Sequence, residues 1–426
     1  HRDLHSFPTR RSSDLMYFKQ KRQVWKFPWS YREAFIIAGG LSLTGVLIEL
    51  FSGQAKVPVP GFPFNLYFGL FVAGFIVYGH IVLRKHPLVK FLQSVPAAVG
   101  SLSMLGVLAL VMALYPQHEL VNQSFADKMG LHHILSHWSY FFSFVFVLVS
   151  LGFVVLKRLR PFTLKNAGFL LNHFGLWLSL FAAGLGAGDI EKLQLTVNEG
   201  KTMWIARDMK GNNVELPLAI RLNDFRIDYF KPKLAIVSTK SQTLVVDKPS
   251  SLPEAVAGQT IIMKHWIIKV DTLLEDASLS NRRFVPDTLP GSVVAAYISA
   301  TNRISKERKE GWLTPGSFVV NRHNLKLDNS FQLALIGPEP SKFESDVTIF
   351  TKRGEKTDTK IVVNKPVKAM AYSIYQTSYD AAMGKHSAIS VFELVKDPWL
   401  PLVYAGIYMM LAGALFLIFA GNLSKK

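Results

Sequence analysis

The sequence predicts a membrane α-helical bundle of about six transmembrane helices, with a large, mostly-β extracytoplasmic domain between helices five and six. Three observations support this fold class. Six stretches are apolar and long enough to cross a bilayer, which takes roughly 20 residues. Basic residues are concentrated in alternate loops, and the one long segment between the fifth and sixth stretches is polar. Hydrophobic residues make up 49% of the 426 residues.

The six predicted spans are residues 33–51, 62–83, 95–115, 138–156, 167–188 and 399–421. They divide the chain into a basic N-terminal segment (16–32), five helices (33–188), a β-rich domain (189–397), and a sixth helix with a short tail (398–426). Within the β-rich domain, short runs of β-favouring residues alternate with turn signals. The predicted strands are 193–197, 261–270, 317–320, 331–336, 347–350 and 360–363, and the turns are 210–212, 290–291 and 353–354. This pattern favours an antiparallel sandwich or an open barrel.

The basic residues set the orientation of the spans. The chain has 48 Lys and Arg against 30 Asp and Glu. The basic clusters are Lys19, Lys21, Arg22, Lys26 and Arg32 before span one, Arg84, Lys85 and Lys90 after span two, Lys157, Arg158, Arg160 and Lys165 after span four, and Lys425 and Lys426 at the end. The two short loops on the other side carry only Lys56 and Lys128. The positive-inside rule therefore predicts cytoplasmic termini and a β domain on the periplasmic side of a bacterial inner membrane. The excess of positive charge is that of a protein in the lipid bilayer with basic cytoplasmic loops, and no nucleic acid partner is expected.

Residues 1–15, HRDLHSFPTRRSSDL, precede the first methionine, Met16. They contain no apolar h-region and no small-residue cleavage site, so they do not read as a signal peptide. They match the translation of a common short-read sequencing adapter. We therefore expect this segment to be an assembly artefact and the native chain to begin at or near Met16.

The chain has no cysteine. This excludes a thiol relay, an iron–sulfur site and a disulfide framework within it, so a cofactor would be held by His, Met or backbone groups. Walker, GxSxG, CxxCH and HExxH motifs are also absent from the sequence. No residue is predicted to be catalytic, and whether the chain forms part of an enzyme stays open.

His173 lies inside span five, about 10 Å from the start of the helix. An ionisable side chain at that depth is costly and usually faces a partner in the bundle interior. Trp177, Leu180, Gly184 and Gly188 share its helical face, and Gly184 and Gly188 form a small-xxx-small pair for helix packing. Two interpretations stay open on position alone: an axial haem ligand, or a histidine satisfied by an interhelical hydrogen bond.

His80 lies near the predicted cytoplasmic end of span two, at a depth that we expect to be comparable to that of His173. Two imidazoles at one depth on different helices could ligate one haem from its two faces. The alternative is an interfacial histidine that reaches the lipid headgroups.

The outer loop between spans three and four carries His118, His132, His133 and His137. His133 and His137 have the i, i+4 spacing that can bind a metal ion, but no Glu accompanies them as in a metalloprotease helix. A solvated loop with interfacial histidines is the alternative.

Three blocks of sequence resemble the ResB/CcsB family of cytochrome c biogenesis proteins. They are HFG at 173–175 with LGAGD at 185–189 and LTVNEG at 195–200; LPLAIRLNDFRIDYF at 216–230; and VNKP at 363–366 with IYQTSY at 374–379 and DPWLPLVYAG at 397–406. The third block is the most specific, because the order of its motifs is distinctive. The resemblance is close from about residue 167 onward and loose before it.

The resemblance implies haem handling. The family works with a CcsA-type membrane partner to move haem b across the membrane and present it to an apocytochrome c, whose CxxCH thiols bond the vinyl groups. A transmembrane histidine of this family is implicated as a haem ligand. By this resemblance, His173 is the candidate haem ligand because it matches the family motif. His80 is a second candidate, and the two do not exclude each other. Trp177 is expected to contact the same haem. The tryptophan-rich WWD motif of the partner is absent, so the chain resembles only the CcsB half.

Two other classes of function stay open from the sequence. One is a b-type cytochrome subunit for electron transfer, in which His80 and His173 would hold a permanent haem; multi-haem subunits of this kind usually need four histidines. The other is a permease component whose outer domain binds a partner.

Overall fold

The computed structural model describes residues 24–53, 55–117, 125–245, 252–381 and 383–423. Residues 1–15, with the predicted artefact, and His118 lie outside this part. The chain forms two compact units. One contains the residues up to Ile190 and those from Asp397 onward, and the other is Glu191–Lys396.

The first unit is helical. Its helices are α1 (Tyr31–Phe51), α2 (Phe64–Ile81), α3 (Pro87–Leu92), α4 (Val95–Leu114), α5 (Phe125–Lys128), α6 (Trp138–Leu159), α7 (Leu164–Gly186) and α8 (Leu400–Leu423). Among the described residues, six of these helices are long and apolar enough to cross a membrane: α1, α2, α4, α6, α7 and α8. These six helices coincide with the six predicted spans to within three residues at every end.

Side chains next to the apolar stretches fix where helices begin. Ser30 precedes α1, and its N–H donates to the Glu33 carboxylate at 2.7 Å, as in a capping box. The Ser94 hydroxyl accepts from the N–H of Ala97 at the start of α4. The His137 Nδ1 accepts from the N–H of Ser139 at the start of α6. These bonds satisfy helix N–H groups that have no partner inside the helix.

Helix α6 is the central helix of the first unit. It contacts α1, α2, α3, α4 and α7. Its small residues allow close approach: the Ser139 hydroxyl donates to the Ser42 carbonyl of α1 at 2.6 Å, and the Ser150 hydroxyl donates to the Leu92 carbonyl of α3 at 2.7 Å. Buried hydroxyls on α6 therefore join the helices around it.

The second unit consists of antiparallel sheets. Its strands are β1 (Glu191–Asn198), β2 (Thr202–Asp208), β3 (Asn213–Tyr229), β4 (Lys233–Ser238), β5 (Thr260–Met263), β6 (Trp266–Ser280), β7 (Arg283–Pro286), β8 (Val293–Asn302), β9 (Arg308–Leu313), β10 (Leu325–Lys326), β11 (Phe331–Ile336), β12 (Pro340–Thr351), β13 (Lys356–Val362), β14 (Val367–Ala369), β15 (Tyr372–Tyr379) and β16 (Ile389–Lys396). The described strands form an eight-stranded sheet in the order β13-β12-β3-β2-β1-β16-β15-β14, a three-stranded sheet β10-β11-β4, and a sheet β5-β6-β8-β9 with β7 on β6. The predicted mostly-β class is confirmed.

The two largest hydrophobic cores of the described β unit follow its division into sheets. One is formed by the eight-stranded sheet and includes Leu195, Ile220 and Phe392. The other is formed by the smaller sheets and includes Trp266, Ile298 and Leu333. Alternating buried and exposed positions along strands such as β1 place one set of side chains in a core.

Two predicted strands are wrong. The run 261–270 is a hairpin rather than one strand: Lys264 has φ 52° and turns the chain between β5 and β6. The turn between the two apolar runs was not predicted, because Lys-His is not a usual turn sequence. Residues 317–320 form a loop, in which the Ser317 hydroxyl accepts from the N–H groups of Val319 and Val320. The Ser317 side chain thus takes the place of a neighbouring strand as the hydrogen-bond acceptor for these N–H groups.

Candidate functional site

His173 lies on α7 and is half-buried. Its Nδ1 is 3.0 Å from the carbonyl oxygen of Phe169, one helical turn earlier. A carbonyl oxygen only accepts, so Nδ1 carries the hydrogen, and the neutral ring keeps its lone pair on Nε2. Within the described residues, Nε2 forms no hydrogen bond. Metal-binding histidines commonly have this arrangement, with one nitrogen held by a backbone carbonyl and the other free to ligate.

Phe169 also holds the imidazole plane. The two rings stack with centroids 3.7 Å apart and planes 20° apart. The guanidinium of Arg158, near the end of α6, lies over the Phe169 ring at 5.2 Å from its centroid. The direction of the His173 ring is therefore fixed by a hydrogen bond and by an aromatic contact at once.

His80 is the last residue but one of α2 and is half-buried. Its Nδ1 is buried and forms no hydrogen bond with the described residues. An unpaired buried nitrogen of this kind calls for an explanation, such as a ligand that supplies the missing partner. The preceding residue, Gly79, packs against Phe153 of α6, which brings the end of α2 close to that helix.

The two histidines lie at one level of the bundle, as the sequence predicted. A Cβ at Gly152 of α6 would be 2.8 Å from Ile76 of α2 and 2.9 Å from the indole nitrogen of Trp177 of α7, so these residues share a level. His80 follows Ile76 by four residues and His173 precedes Trp177 by four. Because α2 and α7 run in opposite directions, each histidine is displaced about 6 Å toward the same end of the bundle.

Trp177 is committed to helix packing. Its indole N–H donates to the Leu148 carbonyl of α6 at 3.1 Å, and its ring stacks on Phe181 with centroids 4.5 Å apart. These contacts explain why the indole is held in the membrane-spanning part without an exposed polar atom. Its predicted contact with a cofactor stays a prediction.

The glycines on the His173 face do not form the closest helix contact. Gly184 faces the Phe144 ring, and Gly188 meets the backbone of Pro60. A close backbone contact between two long helices is made by another face, where a Cβ at Gly175 would be 2.5 Å from the Gly406 carbonyl of α8. Sequence reasoning missed this α7–α8 seam, because it examined only the helical face that carries the histidine.

An apolar cavity of about 360 Å³ lies among α2, α6 and α7. Phe68, Phe144, Leu180 and Phe181 are among its lining residues. Leu180 and Phe181 lie about one turn beyond Trp177, on the side away from His173. The cavity therefore occupies the opposite half of the bundle from the two histidines.

The outer-loop histidines are engaged within the protein. His132 contacts the Pro116 carbonyl at 2.7 Å and Asp127 at 3.3 Å through its two ring nitrogens. His137 accepts at Nδ1 and lies 3.2 Å from the Met129 carbonyl at Nε2, and burial lowers its pKa. A neutral ring fits that pair of partners, so neither histidine has a nitrogen free for a metal.

His133 pairs with a residue that the sequence did not single out. Its Nε2 lies 2.8 Å from the carboxylate of Glu49, which is fully buried at the end of α1, while the second oxygen of Glu49 is unpaired. Glu49 is an acidic residue in an apolar span, and that alone could have identified it. Within the described residues, no group of three or more His, Asp or Glu is placed to hold a metal ion.

The β unit has its own cavity, of about 950 Å³. It is lined by loops that include Gly291, Pro315 and Gly337, and by His386, whose Nε2 lies 3.4 Å from the Ser292 hydroxyl. Burial, and then the charge of Lys385, lowers the pKa of His386. No sequence motif predicts this cavity, because its lining comes from loops that are distant in the chain.

Residues 291–390 match the sequence model of the ResB-like family. This stretch runs from the cavity-lining loop before β8 to the start of β16, and it contains the VNKP and IYQTSY motifs. No curated protein matches the chain. The match, over residues 291–390, supports the predicted ResB/CcsB family assignment.

Proposed function

From this ResB-like family assignment, we propose that the chain is a membrane subunit of cytochrome c biogenesis that binds and moves haem b. Its substrate, haem, would cross the membrane with the help of a CcsA-type partner and be attached to the CxxCH thiols of an apocytochrome c. The chain itself would be a non-catalytic or co-catalytic subunit of that complex. The family match supports the pathway, and the residues of the first unit support the haem step.

The observation that carries the proposal is the environment of His173. Its Nδ1–H is held by the Phe169 carbonyl, which leaves the Nε2 lone pair for iron. His80, at the same level, offers a buried nitrogen without a hydrogen-bond partner among the described residues. Two imidazoles at one level are the donor set that a six-coordinate haem takes.

The proposed orientation places both termini in the cytoplasm and the β unit in the periplasm. The end of the bundle that carries the two histidines also carries the exposed basic residues Arg84, Lys85, Lys157 and Arg160. The positive-inside rule assigns this end to the cytoplasmic side. Haem would then enter the protein from the cytoplasmic leaflet.

The test replaces the two histidines one at a time. His173→Ala should lower the haem that co-purifies with the chain and its partner by at least about tenfold, since removing even an outer-shell contact of a metal ligand costs ten- to a hundredfold. His80→Ala should lower it as well, and c-type cytochromes should stop maturing. Free imidazole should restore both variants, because it replaces an axial ligand but not a packing residue.

His86→Asn is the matched control. His86 is exposed and its Nδ1 accepts from the N–H of Leu88 at the start of α3, a role that Asn can keep. Its haem content should equal that of the wild type. Unchanged haem and maturation in His173→Ala would refute the proposal. A stable redox-active haem without any partner would favour an electron-transfer subunit, and normal maturation after deletion would favour a permease component.

A further inference from the structure

Arg158, Phe169 and His173 form a continuous stack at one end of α6 and α7. The imidazole stacks on the Phe169 ring with centroids 3.7 Å apart, and the guanidinium carbon lies 5.2 Å from the centroid of the same ring. The guanidinium carbon therefore lies within about 9 Å of the imidazole centroid. Phe169 therefore contacts both the cation and the candidate ligand.

The geometry of axial ligation gives this stack a meaning. The plane of a haem is perpendicular to the bond between its iron and the imidazole nitrogen. The normal to the imidazole ring is therefore parallel to the haem plane. Phe169 stacks on His173 along that normal, and the guanidinium that contacts Phe169 lies within about 9 Å of the imidazole centroid, close enough to reach the edge of a macrocycle centred over His173.

The edge of haem b carries two propionates, and Arg158 is suited to bind one. Its guanidinium is exposed and forms no ion pair with the described acidic residues. Arginine is the preferred partner of carboxylates because two N–H groups can meet two oxygens. Arg158 lies near the end of α6, at the polar boundary of the predicted span, where a propionate carboxylate can stay hydrated.

We propose that Arg158 binds a propionate of the haem ligated by His173, and so orients the macrocycle with its carboxylates toward the basic end of the bundle. The inference rests on the proposed function, since it assigns an orientation to the same ligand. It makes Arg158 a specificity-determining residue, which discriminates iron porphyrins by their carboxylates rather than by their metal.

The experiment titrates the full chain, purified together with its membrane partner as in the test above, with haemin and with haemin dimethyl ester, whose propionates carry no charge. The wild type should bind haemin about ten- to a hundredfold more tightly than the ester, the range expected for a hydrogen bond to a charged group. Arg158→Gln should weaken haemin binding to the level of the ester and leave ester binding unchanged. The Soret band of the bound haem should still report a histidine ligand.

Two further variants separate this role from others. Lys157→Gln removes the same charge one residue away and should keep the preference for haemin, whereas Arg158→Lys should keep only part of it. Equal weakening of haemin and ester in Arg158→Gln would show a packing role and overturn the inference, as would an unchanged preference. A wild type that binds neither compound would instead overturn the proposed function, and the inference with it.

Discussion

Glu49 and His133 show how one buried pair determines local structure. The Glu49 carboxylate is fully buried and His133 is the one partner recorded for it among the described residues. Gly130, with φ 66°, lies against both side chains and lets the loop close over them. A buried charge without a partner is far more costly than a buried pair, so the pair joins the outer loop to the end of α1.

We therefore predict that His133→Leu destabilises the protein by about 3–5 kcal/mol, because it leaves the Glu49 carboxylate buried alone. The double variant Glu49→Leu/His133→Leu should regain much of this loss, since no buried charge remains. Thermal unfolding of the detergent-purified chain measures both. Losses that simply add in the double variant would contradict the coupling.

Glu344 in β12 makes a different use of charge, at the surface of the β unit. Lys342 and Lys360 hold its carboxylate at 2.5 and 2.7 Å and lower its pKa to about 2. The ordinary value is 4.5, so the ionised carboxylate favours folding above that pH, and the contribution is lost as the pH falls from about 4.5 toward 2. The pair of lysines thus stabilises a strand next to the edge of the eight-stranded sheet.

Glu344→Gln should lower stability by about 1 kcal/mol at neutral pH, because exposed lysines are screened by solvent. Its unfolding temperature should also depend less on pH between about 4.5 and 2 than that of the wild type. Glu215→Gln is the control, since Glu215 forms one exposed contact with Lys352 at 3.7 Å. An equal pH dependence in Glu344→Gln and wild type would contradict the assignment.

At the scale of elements, α7 and α8 pack through backbone rather than side chains. A Cβ at Gly406 would be 2.5 Å from the Gly175 carbonyl, and one at Gly413 would be 2.5 Å from the Asn172 N–H. The Ser179 hydroxyl donates to the Val403 carbonyl at 3.1 Å in the same seam. Without a hydrophobic driving force between helices in lipid, such close contact is the main source of association.

Gly175→Ala should therefore destabilise the α7–α8 pair by about 1–3 kcal/mol, the usual cost of overpacking. Because Gly175 is two residues from His173, the proposed haem binding should fall together with stability. Gly106→Ala in α4 is the matched control, since no atom lies within 4 Å of its Cβ position. Equal stability of the two variants, measured by thermal unfolding, would contradict a stabilising role of the close α7–α8 contact.

Asp189 joins three elements just after α7. Its carboxylate accepts from the Phe62 N–H at 2.6 Å, the Asn65 amide at 2.7 Å and the Trp399 indole at 2.6 Å. Burial acts to raise the pKa of Asp189, but these three hydrogen bonds outweigh it and hold the pKa below its ordinary value. The carboxylate thus connects the beginnings of α2 and α8 with the end of α7.

These contacts explain what the sequence could and could not predict. Hydropathy alone located the six spans, because each needs a long apolar stretch in one continuous segment. His173 and His80 were found for a related reason: a polar residue inside such a stretch is conspicuous. Helical spacing also gave their common depth.

The Asp189 contacts, the α7–α8 seam and the Arg158 stack could not be predicted in this way. Each depends on which helices are neighbours, and hydropathy does not contain that information. Arg158 was recognised only as one charge in a basic loop. The β cavity escaped for the same reason, because residues as distant as Tyr229 and His386 meet only in the folded unit.

At the scale of the whole molecule, the proposed function depends on orientation. The proposed haem ligands at the basic end of the bundle can take up haem from the cytoplasm only if that end faces the cytoplasm. The absence of cysteine makes this testable, because a single introduced cysteine is the only thiol in the chain. Three exposed positions sample the predicted sides: Ala55 in the first outer loop, Lys85 after α2, and Lys210 in the β2–β3 turn.

In intact spheroplasts, a membrane-impermeant maleimide should label Ala55→Cys and Lys210→Cys but not Lys85→Cys, and detergent should make all three reactive. The physical reason is the cost of moving the basic loops across the membrane against the bias that sets topology. Labelling of Lys85→Cys together with protection of Lys210→Cys would show that the chain has the opposite orientation in the membrane. His173 and Arg158 would then lie near the outer surface, and a route for haem that begins at the cytoplasmic leaflet could not start at this site.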